Sequence, residues 1–249
     1  MTDNKTIILI TPTHPRKDRM KYLERSIATF QKVRNLLWVV VEDGDCVDED
    51  VRKILESSGI HYQYLNYGPT RHWGDEQRNA GLNYVKREKL RGIVYLADDD
   101  NFYDIRLFNE LRKTVKVSIM PVGHLGPRGI ERPIVVNGKI KKWDANWTDR
   151  AFPIDMAGFA FNASLLQAMN GTLFDFTGKG GETELLSKLV KSWNELEPLC
   201  CNCSRCYVWH NQPLGERPLW TYYRRLLLKA KIGSLKNLKK FFMFLSKKT

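Results

Sequence analysis

No apolar run in this chain reaches the roughly 18 residues that a membrane-crossing helix needs. The opening stretch MTDNKTIILITPTHP passes into a strand-like run without the basic and apolar regions of a secretory signal. A chain that is made in, and stays in, the cytoplasm is therefore expected. Neither a GxGxxG nor a Walker pattern occurs, so the usual dinucleotide and P-loop sites lose their best support. Cysteine is sparse: Cys46 stands alone, and Cys200, Cys201, Cys203 and Cys206 crowd into CCNCSRC. The gaps between Cys200, Cys203 and Cys206 suit a metal, but a zinc knuckle draws on a second distant pair, and Cys46 alone cannot supply it. Reduced thiols are the expectation.

Acid is missing from one region. Between Arg217 and Thr249 there are three Arg, seven Lys and no Asp or Glu. Subtracting those ten from the chain's 40 basic residues leaves 30 against 28 acids, so the body is almost neutral and ten of the twelve net positive charges belong to the tail. A near-neutral body gives no footing for a template strand or other nucleic acid.

What is present is ample apolar material, 43% of 249 residues, enough for one large domain or two fused halves. Short β-rich runs alternate with helical patterns. TIILIT (6–11), LLWVVVE (36–42), HYQYLN (61–66) and GIVYLA (92–97) read as strands, separated by helices at about 18–31, 48–58 and 75–86. Four βα units in a row imply a mostly parallel sheet, whose ligands bind at the carboxyl ends of its strands. Three polar clusters fall at those ends: TPTHPRKDR, EDGD and DDDN. After Asp104 the rhythm changes. VKVSIMPVGHLGPRG, PIVVNGKIKKW and DMAGFAFN read as short strands with a hairpin turn at NGK, and helices return at 163–169 and 182–192.

Three consecutive aspartates, Asp98 to Asp100, follow the strand GIVYLA. Adjacent carboxylates repel, so the triplet is costly without a cation or hydroxyls to hold it. Taken alone it is compatible with a Mg²⁺ or Mn²⁺ site for a diphosphate, and equally with a solvated turn or helix cap before FYDI.

Nine blocks, in order, narrow the choice: TPTHPRKDR, WVVVEDG, GDEQRNAGL, VYLADDDNFYD, MPVGHLG, RAFPIDMAGFAFN, GGETELL, LEPLCCNC and VWH. With these the chain resembles the β-1,3-glucuronosyltransferases of glycosyltransferase family 43, from about Ile7 to Pro213. The resemblance implies an α/β fold of GT-A type. Residues 1–215 would form the catalytic domain, 1–105 as the donor-nucleotide half and 106–215 as the acceptor half. It implies inverting, metal-dependent transfer of a sugar, glucuronic acid in the family, from a UDP-sugar to a saccharide hydroxyl. Mn²⁺, or Mg²⁺, would be the cofactor.

The same resemblance assigns residues. Asp100 would bind the metal with the diphosphate, and Asp98 and Asp99 the donor. Asp43 matches the carboxylate that binds uracil, with Pro12 and Thr13 in the turn beside that base. Arg78 and His210 match donor-binding positions; on residue type alone, Arg78 could instead pair with Asp75 or Glu76, and His210 could be structural. Glu182 aligns with the catalytic base, with Glu184 as its local competitor. Trp147, Arg150 and Asp155 match the acceptor subsite, Trp147 across a one-residue gap. Two departures stand out. Trp73 replaces an arginine before the glycine of the GxxQRN block, and Gln212 replaces a basic residue two positions after the histidine. Both remove positive charge near an anionic donor, and Arg71 or Lys179 are the cations that could compensate.

The tail, 216–249, places Leu228, Ile232, Leu235, Leu238, Phe242 and Leu245 every three or four residues with lysines between them. That basic amphipathic pattern suits an anionic membrane surface, which points to peripheral attachment at the cytoplasmic face and a lipid-linked saccharide acceptor. A helix packed on the body or on a partner would show the same pattern. A homodimer is left open, as are a different UDP-sugar and a non-catalytic membrane- or partner-binding role.

Overall fold

The computed structural model describes residues 4–70, 74–124, 129–145, 149–177 and 180–210. Trp73, Arg71, Lys179, Gln212, Trp147 and the tail at 216–249 lie outside the described residues.

Strands β1 (Ile7–Thr13), β2 (Leu36–Glu42), β3 (Tyr62–Asn66) and β4 (Ile93–Leu96) run parallel, in the spatial order β3-β2-β1-β4. Helices α1 (Arg19–Phe30), α2 (Glu49–Ser57) and α3 (Asp75–Arg87) connect them. Every residue of β2 is buried, and of β1 all but Pro12, as expected of inner strands covered on both faces. The strand period of two then divides the core. Leu9 and Trp38 face a cluster with Leu23 and Phe30 of α1. Ile8 and Ile10 face another with Leu82 of α3 and Phe174. Each such side chain contributes about 1.5–3 kcal/mol on burial.

The second half of the chain builds onto the same sheet. It contributes β5 (Phe102–Tyr103), α4 (Ile105–Leu111), β6 (Val117–Ile119), β7 (Val122–His124), β8 (Ile130–Val136) and β9 (Lys139–Asp144). After these come β10 (Phe159–Asn162), α5 (Ser164–Gln167), α6 (Gly181–Leu189), β11 (Glu197–Pro198) and β12 (Val208–His210). β10 inserts antiparallel between β4 and β6, giving a seven-stranded mixed sheet, β11-β6-β10-β4-β1-β2-β3. A second sheet has the order β5-β12-β7-β8-β9. The expected hairpin is present: Asn137 and Gly138 have φ of 50° and 72°, the positive pair that a two-residue turn between β8 and β9 requires.

The short strands expected in VKVSIMPVGHL are β6 and β7, which lie in different sheets; Met120 N–H bonds to Gly158 O, and Pro121 has no N–H with which to continue a ladder. Two expectations need correction. The helix expected at 182–192 stops at Leu189, where Val190 turns extended at φ −139° and ψ 151°. The helix expected at 163–169 is a single turn.

Candidate active site

The three aspartates after β4 have three different environments. Asp98 accepts from Arg78 Nη2 at 2.5 Å. Asp99 accepts from both terminal nitrogens of Arg16, at 2.8 and 2.6 Å, and from the Thr13 hydroxyl at 2.6 Å. Among the described residues nothing hydrogen-bonds or ion-pairs with the Asp100 carboxylate. Burial and the neighbouring charges of Asp98 and Asp99 push its pKa up, against weaker opposition from His210 and Arg16. Its backbone is held instead: Arg25 Nη2 donates to Asp100 O at 2.6 Å, and the same guanidinium lies 3.6 Å from the Phe102 ring centroid. A lone hard carboxylate, destabilised as an anion where it stands, fits a divalent cation. Among the described residues no three His, Cys, Asp or Glu side chains cluster as a self-sufficient metal site.

Arg78 is fully buried on α3. Burial opposes its charge, but Asp98 and Asp75 outweigh that, and the guanidinium stays charged. It donates to Asp75 Oδ1 at 2.9 Å, so the i,i+3 pair that its sequence context allows does form, as one arm of a bridge whose other arm reaches Asp98.

Glu182 enters this cluster from the first turn of α6. Its pKa is raised, chiefly by burial and by the charge of Asp155, with Arg150 and Arg78 opposing. Arg150 Nη1 lies 3.1 Å from Glu182 Oε2, so two of the expected acceptor and catalytic residues are in direct contact. Two glycines make the approach possible. A Cβ on Gly180 would sit 2.6 Å from Arg150 Cζ, and one on Gly181 2.8 Å from Asp75 Oδ2. Gly180 also has φ +86°, which side-chain-bearing residues rarely adopt.

Glu184, the competitor, is engaged elsewhere. Its carboxylate accepts the N–H groups of Asp175, Phe176 and Thr177 at 2.9, 3.1 and 2.6 Å, and the Thr177 hydroxyl as well. Burial works against its charge, yet these donors win and its pKa is lowered. An acid so engaged is a poor base.

Asp155 caps the turn at Met156–Gly158 through Ala157 N–H at 2.9 Å and lies 3.3 Å from His210 Nδ1. Its pKa is raised by burial, with His210 opposing and Asp98 adding to the rise. Asp155 and Asp98 therefore sense each other's charge. Asp43, at the end of β2, accepts from Thr70 N–H at 2.8 Å and Thr70 Oγ1 at 2.9 Å; the cap of α2 is Asp48. Pro12 packs below Gly74 at the start of α3, where a Cβ would lie 3.3 Å away.

Arg16 and Arg25 were missed from sequence. Arg16 lies inside the TPTHPRKDR cluster, which carried the signal; Arg25 is one of many charges on α1 and carried none. The cysteines are free, and Cys200, Cys203 and Cys206 have thiols pushed up by burial, Cys203 to about 12. Protonated thiols of this kind are unreactive.

The two acids of α6 are separable by stability. Glu184→Ala strands three backbone donors and should lower unfolding stability by about 2–4 kcal/mol, whereas Glu182→Gln should change it by less than about 1 kcal/mol. Urea denaturation of both variants measures this, and a larger loss in Glu182→Gln would reverse the assignment.

A model of "Glycosyltransferase family 43" matches residues 26–213. The chain is 37% identical over 222 residues to human galactosylgalactosylxylosylprotein 3-beta-glucuronosyltransferase 2, covering 83% of this chain and 69% of that protein. It is also 37% identical over 232 residues to the 3-beta-glucuronosyltransferase sqv-8 of Caenorhabditis elegans, covering 85% and 65%. Among solved structures, S. aureus TarS 1-349 superposes with a TM-score of 0.56 at 14% identity, over 83% of this chain and 60% of that one. The last likeness shows the fold, that of nucleotide-sugar transferases of GT-A type. Sequence match and site agree that this chain belongs to glycosyltransferase family 43.

Proposed function

We propose that this glycosyltransferase moves glucuronic acid from UDP-glucuronate to a hydroxyl of a saccharide acceptor, forming a β-1,3 linkage with inversion in one displacement. The observation that carries this reading is the unequal treatment of the acids: among the described residues the Asp100 carboxylate has no hydrogen-bond or ion-pair partner, and burial raises the basicity of Glu182. The relatives' names supply the sugar and the linkage. A divalent cation held by Asp100, Mn²⁺ or Mg²⁺, would offset the charge of the departing diphosphate.

The chain's own residues do the rest. Glu182 removes the proton from the acceptor hydroxyl, and the burial that raises its pKa brings it nearer the working pH of a general base. Arg150 keeps that carboxylate oriented and partly ionised. Asp155 accepts hydrogen bonds from acceptor hydroxyls, and Asp43 is placed for the base of the nucleotide. Trp73 and Gln212 make the donor sugar the point to test, and a panel of UDP-sugars decides it: turnover of a neutral UDP-sugar above UDP-glucuronate would overturn glucuronic acid. The tail at 216–249 is proposed, on its pattern alone, to dock the enzyme on an anionic membrane at the cytoplasmic face beside a lipid-linked acceptor.

Four outcomes are expected. Asp100→Ala abolishes Mn²⁺-dependent UDP binding in calorimetry with the fold retained; undiminished binding removes the metal role. Glu182→Gln keeps donor binding and lowers kcat by about 10² to 10⁴. In the wild type kcat falls as pH drops through the Glu182 pKa, which lies above the ordinary 4.5, because protonation silences the base; a pH profile unchanged in Glu182→Gln would assign the base elsewhere. Full-length protein sediments with anionic liposomes at low salt, and a chain ending at Gln212 does not; failure of the full chain to sediment ends the membrane proposal.

A further inference from the structure

His124 ends β7 and His210 ends β12, two parallel strands in which these residues are register partners. Register partners point to the same face of a sheet. Their rings lie 5.5 Å apart between centroids, with planes at 40°. Trp209 cannot intrude between them, because it lies across the other face, over Gly123, where a Cβ would meet its ring at 2.2 Å. Two of the chain's five histidines, far apart in sequence, are thus brought together at one strand end.

Each ring faces an acid. His124 Nε2 is 3.3 Å from Glu131 Oε2, and His210 Nδ1 is 3.3 Å from Asp155 Oδ2. Glu131 is buried, at 1% exposure. Burial disfavours the charged form of His124, but Glu131 and Asp155 outweigh it, and its pKa is raised. The groups facing His124 are therefore two carboxylates and a second imidazole. The two imidazoles stand side by side, and both retain access to solvent, with 19% and 42% of their side chains exposed. The pair also stands within electrostatic reach of the triplet, since His210 lowers the pKa of Asp100. Paired imidazole donors that open to solvent beside that carboxylate suit a ligand with more than one negative charge.

We propose that His124 is a second donor-binding histidine, which with His210 clamps the anionic oxygens of the sugar nucleotide. It therefore bears on which donors the site accepts. The proposal rests on the transferase reading above.

Calorimetry on the full chain with Mn²⁺ tests it, using uridine, UDP, UDP-glucose and UDP-glucuronate. His124→Gln keeps a donor toward Glu131 but no charge. It should bind UDP and both UDP-sugars roughly tenfold more weakly while uridine is unaffected, the loss of one charge-assisted hydrogen bond. A loss confined to UDP-glucuronate assigns the clamp to the sugar's carboxylate rather than the diphosphate. Undiminished affinity for all three anionic ligands, or equal weakening of uridine, overturns the proposal. If the wild type itself fails to bind UDP, the transferase reading falls with it, a different result from a normal wild type and an indifferent variant. Should His124→Gln not fold, the His124 ring resonances of the wild type must shift on adding UDP and not on adding uridine; unmoved resonances overturn the proposal equally.

Discussion

Three carboxylates in a row at the end of a buried strand cannot all remain anions without help, and much of the surrounding structure provides that help. At about 4 Å, two like charges repel by about 4 kcal/mol near a protein surface, and burial together with the charges of Asp98 and Asp99 pushes the pKa of Asp100 up. Asp98 is neutralised by an arginine from α3 and Asp99 by one that precedes α1. These ion pairs tie both helices to the β4 end, and α1 is tied again by Arg25, which grips the backbone of Asp100 and Asn101. Among the described residues, what the two arginines leave over is the Asp100 carboxylate. The electrostatic cost of the site and the packing of its neighbours are one problem with one solution.

Glu182 and Glu184 show how little the residue type itself decides. They are two positions apart on one helix, and their pKa values move in opposite directions. Glu182 meets a buried anion, Asp155, and an arginine that only partly offsets it. Glu184 meets a ring of backbone N–H groups that favour its charged form. The helix N-terminus favours both anions, so it cannot be what separates them. The difference comes from the 174–177 loop, which turns one carboxylate into a structural acceptor and leaves the other basic.

The parallel half of the fold was legible because its signals are local. Apolar runs of four to seven residues, helical spacing between them and polar clusters at strand ends put β1 to β4 and their carboxyl ends almost where they lie. The NGK turn was legible for the same reason, since positive φ at two adjacent residues calls for Asn and Gly. What could not be read was set by distant partners. β11 is two residues long and exists because Glu197 and Pro198 pair with β6. That β6 and β7 belong to different sheets is set by partners such as Gly158, to which Met120 bonds. Within the site, the acids and their expected roles came from the resemblance, and the side chains and amides that surround each of them could not be read. Nothing around Asp99 in sequence says that Arg16 will hold it, or that Glu184 rather than Glu182 will find three amides.

Glycine settles the remaining geometry. Gly180 and Gly181 lie where α6 meets Arg150 on one side and Asp75 on the other, and a methyl group at either would displace a charged partner. Asp75 already bridges to Arg78, and Arg78 to Asp98, so the α6 N-terminus rests on the same chain of charges that begins at the end of β4. A buried chain of ions contributes less to stability than apolar packing of the same volume would. Its effect is on position: it sets Glu182 against the aspartates through contacts that tolerate little change in distance, while the two apolar clusters on either face of the sheet supply the stability that the charges do not.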